Sequence, residues 1–441
     1  MIASRGLRTF SIIWFGQFAS LIGTAMTRFA LMIWAYEQTG EATTLALLGF
    51  FAFIFQIVLG PIAGVLVDRL DRRLMMLLAD LGSGLMTLAM LLLYAAGDLQ
   101  IWHLYVAEAL TGAFESFQIP AYSAATTMLV PKKHYTRASG MRSLALDSSR
   151  VIAPFAAGTL LLVVDIDGIM LIDVITFLIA MFTLLIVRIP RPPVSTDSLI
   201  AHGWWQQLRS GFVYIMQRPG LRGLMYIFVG IHFFAALAYF SILPAMILAR
   251  TGNDQIALAT VQSALGIGGV VGGLLLSVWG GPRRLIHAIC AGTALSYLLG
   301  DFLFAVGQSV EMWVIAALGA AVFIPFISGA NRAIWQAKTP PDLQGRVFSA
   351  QAMLQSTAMA LGYLVAGPLA DRVLEPAMQP GGALVPLLGG LVGTGPGAGM
   401  AVIFIITATF GALISLSGYL SPALRNVETE LPDHELALAG D

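Results

Sequence analysis

Long apolar segments alternate with short polar breaks along almost the whole chain. A bilayer core about 30 Å thick is crossed by roughly 20 apolar residues in a helix, and twelve segments reach that length. These segments begin near residues 9, 43, 74, 101, 139, 168, 220, 255, 285, 310, 347 and 399. The pattern therefore predicts an all-α membrane protein with twelve transmembrane helices.

The composition agrees with a chain that lies in lipid. Of its 441 residues, 58% are hydrophobic and only 11% are charged, whereas soluble domains are about 25% charged. The net charge is zero, so we expect no nucleic-acid partner. The single cysteine, Cys290, excludes an intrachain disulfide and a cysteine-based metal cluster. We expect neither a metal site nor a cofactor.

Basic residues fall in alternate loops, which predicts the sidedness of the chain. The basic set consists of Arg69, Arg72, Arg73, Lys132, Lys133, Arg137, Arg191, Arg209, Arg218, Arg283, Arg284, Lys338 and Arg346. The remaining loops carry little besides Arg250 and Arg372 and are otherwise acidic. We therefore expect a multi-pass protein of the plasma (inner) membrane with both termini in the cytoplasm. The apolar stretch from Phe10 to Tyr36 is too long for a signal peptide and is interpreted as the first span.

The chain also divides into two halves that resemble each other. Gly64, Pro131, Arg137 and Gly158 recur 209 residues later, as Gly273, Pro340, Arg346 and Gly367. Between the halves, apolar residues at helical spacing from Trp204 to Ile215 predict an amphipathic helix at the membrane surface. The predicted domains are a six-helix bundle over 1–189, a cytoplasmic linker over 190–219, a second bundle over 220–420 and a cytoplasmic tail over 421–441.

The loop between the second and third spans combines a glycine, two acids and three arginines. The residues are Gly64, Asp68, Arg69, Asp71, Arg72 and Arg73. A glycine lets two helices approach closely, an aspartate can accept hydrogen bonds at a helix N-terminus, and an arginine can reach helix C-termini. We predict that this loop is a latch that holds one conformation and releases it in another.

This loop resembles the signature of the major facilitator superfamily. The resemblance implies the major facilitator fold, two six-helix bundles that alternate access to a site between them. A narrower resemblance is to the exporters that include macrolide-efflux proteins and the enterobactin exporter. Its residues are Asp68–Arg73 with Asp80, Phe114–Phe117 with Pro120 and Ala121, and Pro340–Phe348. Two positions depart from the pattern. Ser277 replaces the acid of the second loop copy, which weakens the case for a second latch, and Glu108 stands where drug exporters carry an arginine.

Ionisable side chains in the middle of a span are costly and are candidates for function. We predict Glu115, Glu108, Arg150 and Asp80 as proton-coupling residues. Glu108 and Glu115 are seven residues apart and share a helix face, and a contact of either with Arg150 is geometrically plausible. A carboxylate that exchanges a proton as its distance to an arginine changes would couple transport to protons. The alternative is a static ion pair that fixes the helix register.

Further residues are candidates for a substrate cavity because they place charged, polar or aromatic groups in the spans. They are Arg28, Phe114, Phe117, Asp147, His232, Phe233 and Tyr239. Ordinary packing explains the aromatic members equally well. Asp301, near the end of its span, is expected at the membrane interface. The glycine-rich segment 375–399 is expected either to cover the outer mouth or to rest at the interface.

The sequence thus predicts a monomeric, proton-coupled exporter of an amphipathic small molecule, such as a macrolide-like drug or a siderophore-like metabolite. Protons, the substrate and membrane lipids are the expected partners. Three alternatives remain open: a lysolipid or lipid translocator, an importer of the same fold, and a non-transporting membrane receptor. An enzyme is not expected because the chain lacks a metalloprotease HExxH pair and a cysteine nucleophile.

Overall fold

The structure is a computed structural model that describes residues 2–131, 134–187, 189, 204–340 and 343–430. It does not describe the side chains of 2–5, 61, 62, 64, 65, 68, 69, 136, 204–208 and 430 within these ranges. The described residues are helical almost throughout and contain no strand. The segment 190–203 of the predicted linker and the end of the predicted tail, 431–441, lie outside the described residues.

The chain forms two compact units, Met1–Asp197 with Asn253–Ser263, and Ser198–Gly252 with Ala264–Asp441. The first unit is built from five long helices: α1 (Ile2–Thr39), α2 (Ala42–Arg69), α3 (Arg72–Ala96), α4 (Ile101–Leu129) and α5 (Tyr135–Ile186). Gly97 ends α3 in the left-handed conformation with φ 77°, which glycine adopts without a steric penalty. Short breaks thus separate these long helices.

The remaining helices are shorter, and several belong to one span. They are α6 (Trp204–Met216), α7 (Pro219–Ala238), α8 (Ile242–Thr251), α9 (Gln255–Trp279), α10 (Leu285–Ser296), α11 (Leu303–Val306), α12 (Val310–Ala321), α13 (Ile324–Lys338), α14 (Gln344–Pro368), α15 (Glu375–Met378), α16 (Val385–Val392), α17 (Ala398–Ser417), α18 (Pro422–Arg425) and α19 (Val427–Glu430). Two π-helical turns, Tyr297–Phe302 and Leu369–Leu374, join α10 to α11 and α14 to α15.

The predicted spans correspond to these helices. Ten helical segments of the described part are long and apolar enough to cross a membrane. One of them, Arg137–Ile186, has 50 residues and breaks at Asp165, where φ is 54° and ψ is −173°, so it accounts for two spans. The 29 residues of α4 extend about 43 Å at roughly 1.5 Å per residue, which is also enough to cross. The structure is therefore compatible with the expected twelve spans.

Small residues allow the helices of the first unit to pack closely. A side chain at Gly112 of α4 would place its Cβ 2.1 Å from the carbonyl oxygen of Ala52 in α2. A side chain at Gly16 of α1 would meet Thr183 of α5 at 2.3 Å. Close approach of this kind strengthens van der Waals contact, which drives helix association where lipid is as apolar as the side chains. It also brings polar groups of different helices within hydrogen-bonding distance.

The amphipathic helix α6 is anchored to the second unit by its apolar face. Ile215 and Tyr214 are buried in a core cluster with Trp335 and Phe228, and the Tyr214 hydroxyl donates to the Lys338 carbonyl oxygen at 2.7 Å.

The segment after α15 is also held in place by hydrogen bonds. Arg250 donates to the carbonyl oxygen of Val392 at 2.6 Å, and the Glu375 carboxylate accepts from the backbone N–H of Met400 at 3.0 Å.

The latch loop places an acid at the start of α3. The Asp71 carboxylate accepts from the backbone N–H groups of Arg73 at 2.9 Å and Leu74 at 3.4 Å. The Arg73 guanidinium donates to the carbonyl oxygen of Leu184 at 2.8 Å, near the end of α5. The structure does not describe the surroundings of Gly64 or the side chains of Asp68 and Arg69. The latching role of the loop stays a prediction.

The corresponding helix start in the second unit is capped from a distant segment. The Glu428 carboxylate accepts from the backbone N–H groups of Leu285 at 3.1 Å and Ile286 at 2.9 Å, at the beginning of α10. The Lys338 ammonium donates to the Glu428 carbonyl oxygen at 2.5 Å. The neighbouring Val427 is fully buried. The end of the described chain is therefore docked on the second unit.

Replacement of Glu428 by alanine should destabilise this unit. It leaves the first N–H groups of α10 without their anionic acceptor, a loss worth about 1 kcal/mol. Thermal unfolding of the detergent-purified protein should show a midpoint lower by a few degrees. Glu37→Ala, which removes an exposed carboxylate near the end of α1, serves as the control. Equal midpoints for the two variants would contradict the capping role.

Candidate functional site

A charged triad lies in the first unit, where α1, α2 and α4 meet. The Nη2 atom of Arg28 is 2.9 Å from Oε1 of Glu115 and 3.3 Å from Oε2 of Glu108. Gln56 of α2 approaches the other oxygen of Glu115 at 3.3 Å. The two glutamates share a face of α4 because seven residues make two helical turns. One guanidinium thus serves two carboxylates within a membrane span.

The predicted contact of either glutamate with Arg150 was wrong. Arg150 is exposed, and in the described ranges the ion-pair partner of both glutamates is Arg28 of α1. Spans that follow each other in sequence must be neighbours at their shared loop, but helix rotation decides which faces meet. Arg28, which the sequence predicted only as a cavity residue, therefore takes the place proposed for Arg150.

A second polar cluster surrounds Asp80 of α3, whose exposed fraction is 6%. Gln17 of α1 donates to its carboxylate at 2.6 Å, and Gln118 of α4 donates to the other carboxylate oxygen. Gln118 also donates to the side-chain oxygen of Gln17 at 2.9 Å. Asp80 therefore has neutral amide donors, and no cation lies within ion-pair distance in the described part of the chain.

Two further buried aspartates were misjudged or missed by the sequence reasoning. Asp301 was expected at the membrane interface, but it is fully buried and accepts hydrogen bonds from Tyr239 and Thr407. It lies in the π-helical turn Tyr297–Phe302, which faces α17. Asp173 was not singled out at all, although a single acid in the apolar run from residue 169 to 175 is a usable signal.

The remaining cavity candidates are divided between the two units. In the first unit Phe114 packs on Gly82, Phe117 lies at the edge of a core cluster, and Asp147 is exposed. In the second unit a ring nitrogen of His232 is 2.7 Å from the Phe228 carbonyl oxygen, which is ordinary helix-interior bonding. Phe233 stacks edge-on against Phe234, and Tyr239 is bonded to Asp301. The described residues contain no group of histidine, cysteine and acid side chains suited to a metal.

A small polar cavity adjoins the triad. Its volume is about 40 Å³, which exceeds the roughly 10–15 Å³ that a buried water requires. Its lining includes Arg28, Glu108 and five hydroxyl side chains: Thr24, Thr27, Ser83, Thr87 and Thr111. Because these polar groups line a space of sufficient volume, water can occupy it beside the ion pair.

The charge count of the triad determines its chemistry. One guanidinium and two ionised carboxylates carry a net charge of −1. One proton, or one cationic group of a ligand, makes the triad neutral. Because the uncompensated charge lies in a low-dielectric span, either event changes the electrostatic energy considerably. The arrangement can therefore exchange a proton for a cation, or bind either.

Comparison with known proteins identifies the family. The profile described as Major Facilitator Superfamily matches residues 13–363. The chain belongs to the Major Facilitator Superfamily. It is therefore a member of a family of transporters, and its helices cross a membrane several times.

Relatives of this transporter include exporters. It is 29% identical over 373 residues to "Macrolide efflux protein A" of Streptococcus pyogenes, covering 82% of this chain and 90% of the relative. It is 25% identical over 319 residues to the "Enterobactin exporter EntS" of Shigella flexneri, covering 70% and 72% of the two chains.

Solved structures confirm the fold. A crystal structure of a nucleoside transporter matches with a TM-score of 0.66 at 12% identity, covering 93% of this chain and 98% of that one. A bacterial homologue of the iron transporter ferroportin matches with a TM-score of 0.64 at 14% identity, covering 93% and 98%. Identities this low establish the major facilitator fold alone.

The pairing within the triad can be tested by a double-mutant cycle. Arg28→Gln should destabilise the protein because it leaves two carboxylates without their cation, and adding Glu115→Gln should restore part of the loss. The expected coupling free energy between the two substitutions is roughly 1 kcal/mol, in the lower part of the range for residues in contact. It is low because the side chain of Arg28 is 37% exposed. Unfolding midpoints in detergent measure it. The matched control is Arg150→Gln with Glu115→Gln, and equal coupling in the two cycles would contradict the pairing.

Proposed function

We propose that this transporter exports an amphipathic small molecule in exchange for protons. The main support for this proposal is the triad of Arg28, Glu108 and Glu115, which needs one more positive charge to be neutral. A proton and a cationic substrate compete for this one charge. Antiport follows because occupancy by one releases the other.

Each triad residue has a defined part in this exchange. Arg28 keeps the closer partner, Glu115 at 2.9 Å, and so holds the triad together. Glu108 is the weaker partner at 3.3 Å and lines the polar cavity, so it is the carboxylate that takes up and releases the proton. When Glu108 is ionised, a ligand cation replaces the proton beside it.

The preferred cargo is a cationic amphipathic compound such as a macrolide-like drug. A negatively charged triad attracts a basic amine and repels an anionic, siderophore-like metabolite. One relative is named for macrolide efflux, which supports the same class. Export agrees with the names of both relatives, macrolide efflux and enterobactin export.

The cellular setting belongs to the same proposal. The transporter acts as a monomer in the plasma (inner) membrane with both termini in the cytoplasm. Arginine and lysine are concentrated in alternate loops, which lie on one side of the membrane, and this supports the orientation. Membrane lipids are then its solvent and protons its coupling ion.

An accumulation assay in efflux-deficient bacteria tests the function. Cells that make the wild-type protein should accumulate several-fold less macrolide than cells without it, and a protonophore should abolish the difference. Glu108→Gln and Glu115→Gln should each abolish it as well, because the triad then no longer needs a proton for neutrality. Glu37→Gln, on an exposed residue near the end of α1, should behave as the wild type.

Other outcomes identify the competing functions. Higher accumulation with the protein indicates an importer. Flux of labelled lysolipid in vesicles without any effect on drugs indicates a lipid translocator. Absence of flux for every compound, with binding retained, indicates a receptor. Any of these three results would contradict the proposed drug export.

A further inference from the structure

Asp173 of α5 is a deeply buried carboxylate, with an exposed fraction of 1%. Its Oδ1 atom accepts from the Thr24 hydroxyl of α1 at 3.0 Å, and its Oδ2 atom accepts from the Thr87 hydroxyl of α3 at 3.0 Å. Gly23 makes this approach possible, because a Cβ there would lie 2.9 Å from Oδ1 of Asp173. Three helices therefore converge on one acid.

The partners of Asp173 are neutral. Within the described ranges no lysine, arginine or histidine lies within ion-pair distance of it, and the nearby charged group on the packed helices is Arg28 of α1. The buried hydroxyl of Thr27 also faces this carboxylate and stabilises its ionised form. An ionised carboxylate at this depth is costly without a cation, and addition of a proton removes that cost.

The cavity beside the triad adjoins the hydrogen-bond donors of Asp173. Both hydroxyl donors of Asp173, Thr24 and Thr87, line this cavity, and so do Arg28 and Glu108. Thr27, which faces the Asp173 carboxylate, lines it as well. Hydroxyl groups and water both donate and accept hydrogen bonds, so a chain of them can pass a proton from one carboxyl group to the other.

The positions of the polar residues show a regular arrangement. Three helices each carry a pair of polar residues seven positions apart: Gln17 and Thr24, Asp80 and Thr87, Glu108 and Glu115. Seven residues correspond to about 10.5 Å along a helix. The Asp173 cluster and the Asp80 cluster therefore form two layers of the first unit, about 10.5 Å apart on α1 and on α3.

We propose that Asp173 is a proton-carrying residue that exchanges its proton with Glu108 through the hydroxyl-lined cavity. The O–H bond at the Asp173 carboxyl breaks, the proton moves along the hydroxyls and water, and an O–H bond forms at Glu108. Glu108 then leaves its ion pair, and Arg28 keeps Glu115. This inference rests on the proposed proton-coupled transport and adds a residue to it.

Asp173→Asn separates this role from a purely structural one. Asparagine preserves the shape of the side chain and still accepts a hydrogen bond, but it cannot exchange a proton. In proteoliposomes the variant should lose macrolide transport driven by a pH gradient. It should retain macrolide counterflow, which requires no net proton movement. Asp167→Asn, on an exposed residue of the same helix, should keep both activities.

Infrared difference spectra recorded between acidic and alkaline pH provide a readout that needs no substrate. The carbonyl-stretch band of protonated carboxyl groups should lose a component in Asp173→Asn and a different one in Glu108→Gln. If Asp173→Asn does not fold, Thr87→Val replaces it. Thr87→Val should shift the pH midpoint of the Asp173 component, since it removes a hydrogen bond from the ionised form.

Three results would overturn the inference. The first is gradient-driven transport that is retained in Asp173→Asn, and the second is loss of both gradient-driven transport and counterflow in that variant. The third is an infrared band and a pH midpoint that no substitution of Asp173 or Thr87 changes. Failure of the proposed function has a different signature. The wild-type protein would then show no gradient-driven macrolide transport, while the infrared measurement would still decide whether Asp173 binds a proton.

Discussion

The ion pairs of Arg28 set the conditions for the rest of the first unit. A charge in a membrane span must be compensated by neighbouring groups, because lipid cannot solvate it. Arg28 compensates two carboxylates of α4 at 2.9 and 3.3 Å, which requires α1 and α4 to keep one relative rotation. Gly112 lets α4 lie close against α2 at Ala52, the helix whose Gln56 approaches Glu115. The packing of the helices in this unit and the compensation of its buried charges therefore depend on each other.

The other buried acids are accommodated differently. Asp80 has amide donors from Gln17 and Gln118, Asp173 has threonine donors, and Asp301 of the second unit has Tyr239 and Thr407. Neutral donors favour the ionised form of a carboxylate but do not neutralise its charge as a guanidinium does. These acids therefore differ from Glu108 and Glu115, whose partner is a cation.

Sequence reasoning succeeded where the physics is local. Apolar length indicated the spans, and periodicity from Trp204 to Ile215 indicated α6. It could also place Glu108 and Glu115 on one face, because that follows from helical geometry alone. It failed where helix rotation decides, as for Arg28 in place of Arg150, and where an acid looks interfacial by position, as for Asp301. The Glu428 cap is 143 residues from Leu285 and 142 residues from Ile286 in the sequence, a separation that no local pattern reveals.

The starts of α3 and α10 show how two helices meet the same constraint with different residues. The N-terminus of every helix exposes N–H groups that need acceptors. At α3 the acceptor is the adjacent Asp71, and at α10 it is Glu428 from a helical turn near the end of the described chain. A local acid caps its helix however the rest of the unit moves, whereas a distant one caps it only while two segments stay together. The start of α10 is therefore tied to the docking of the chain's end, and the start of α3 is independent of it.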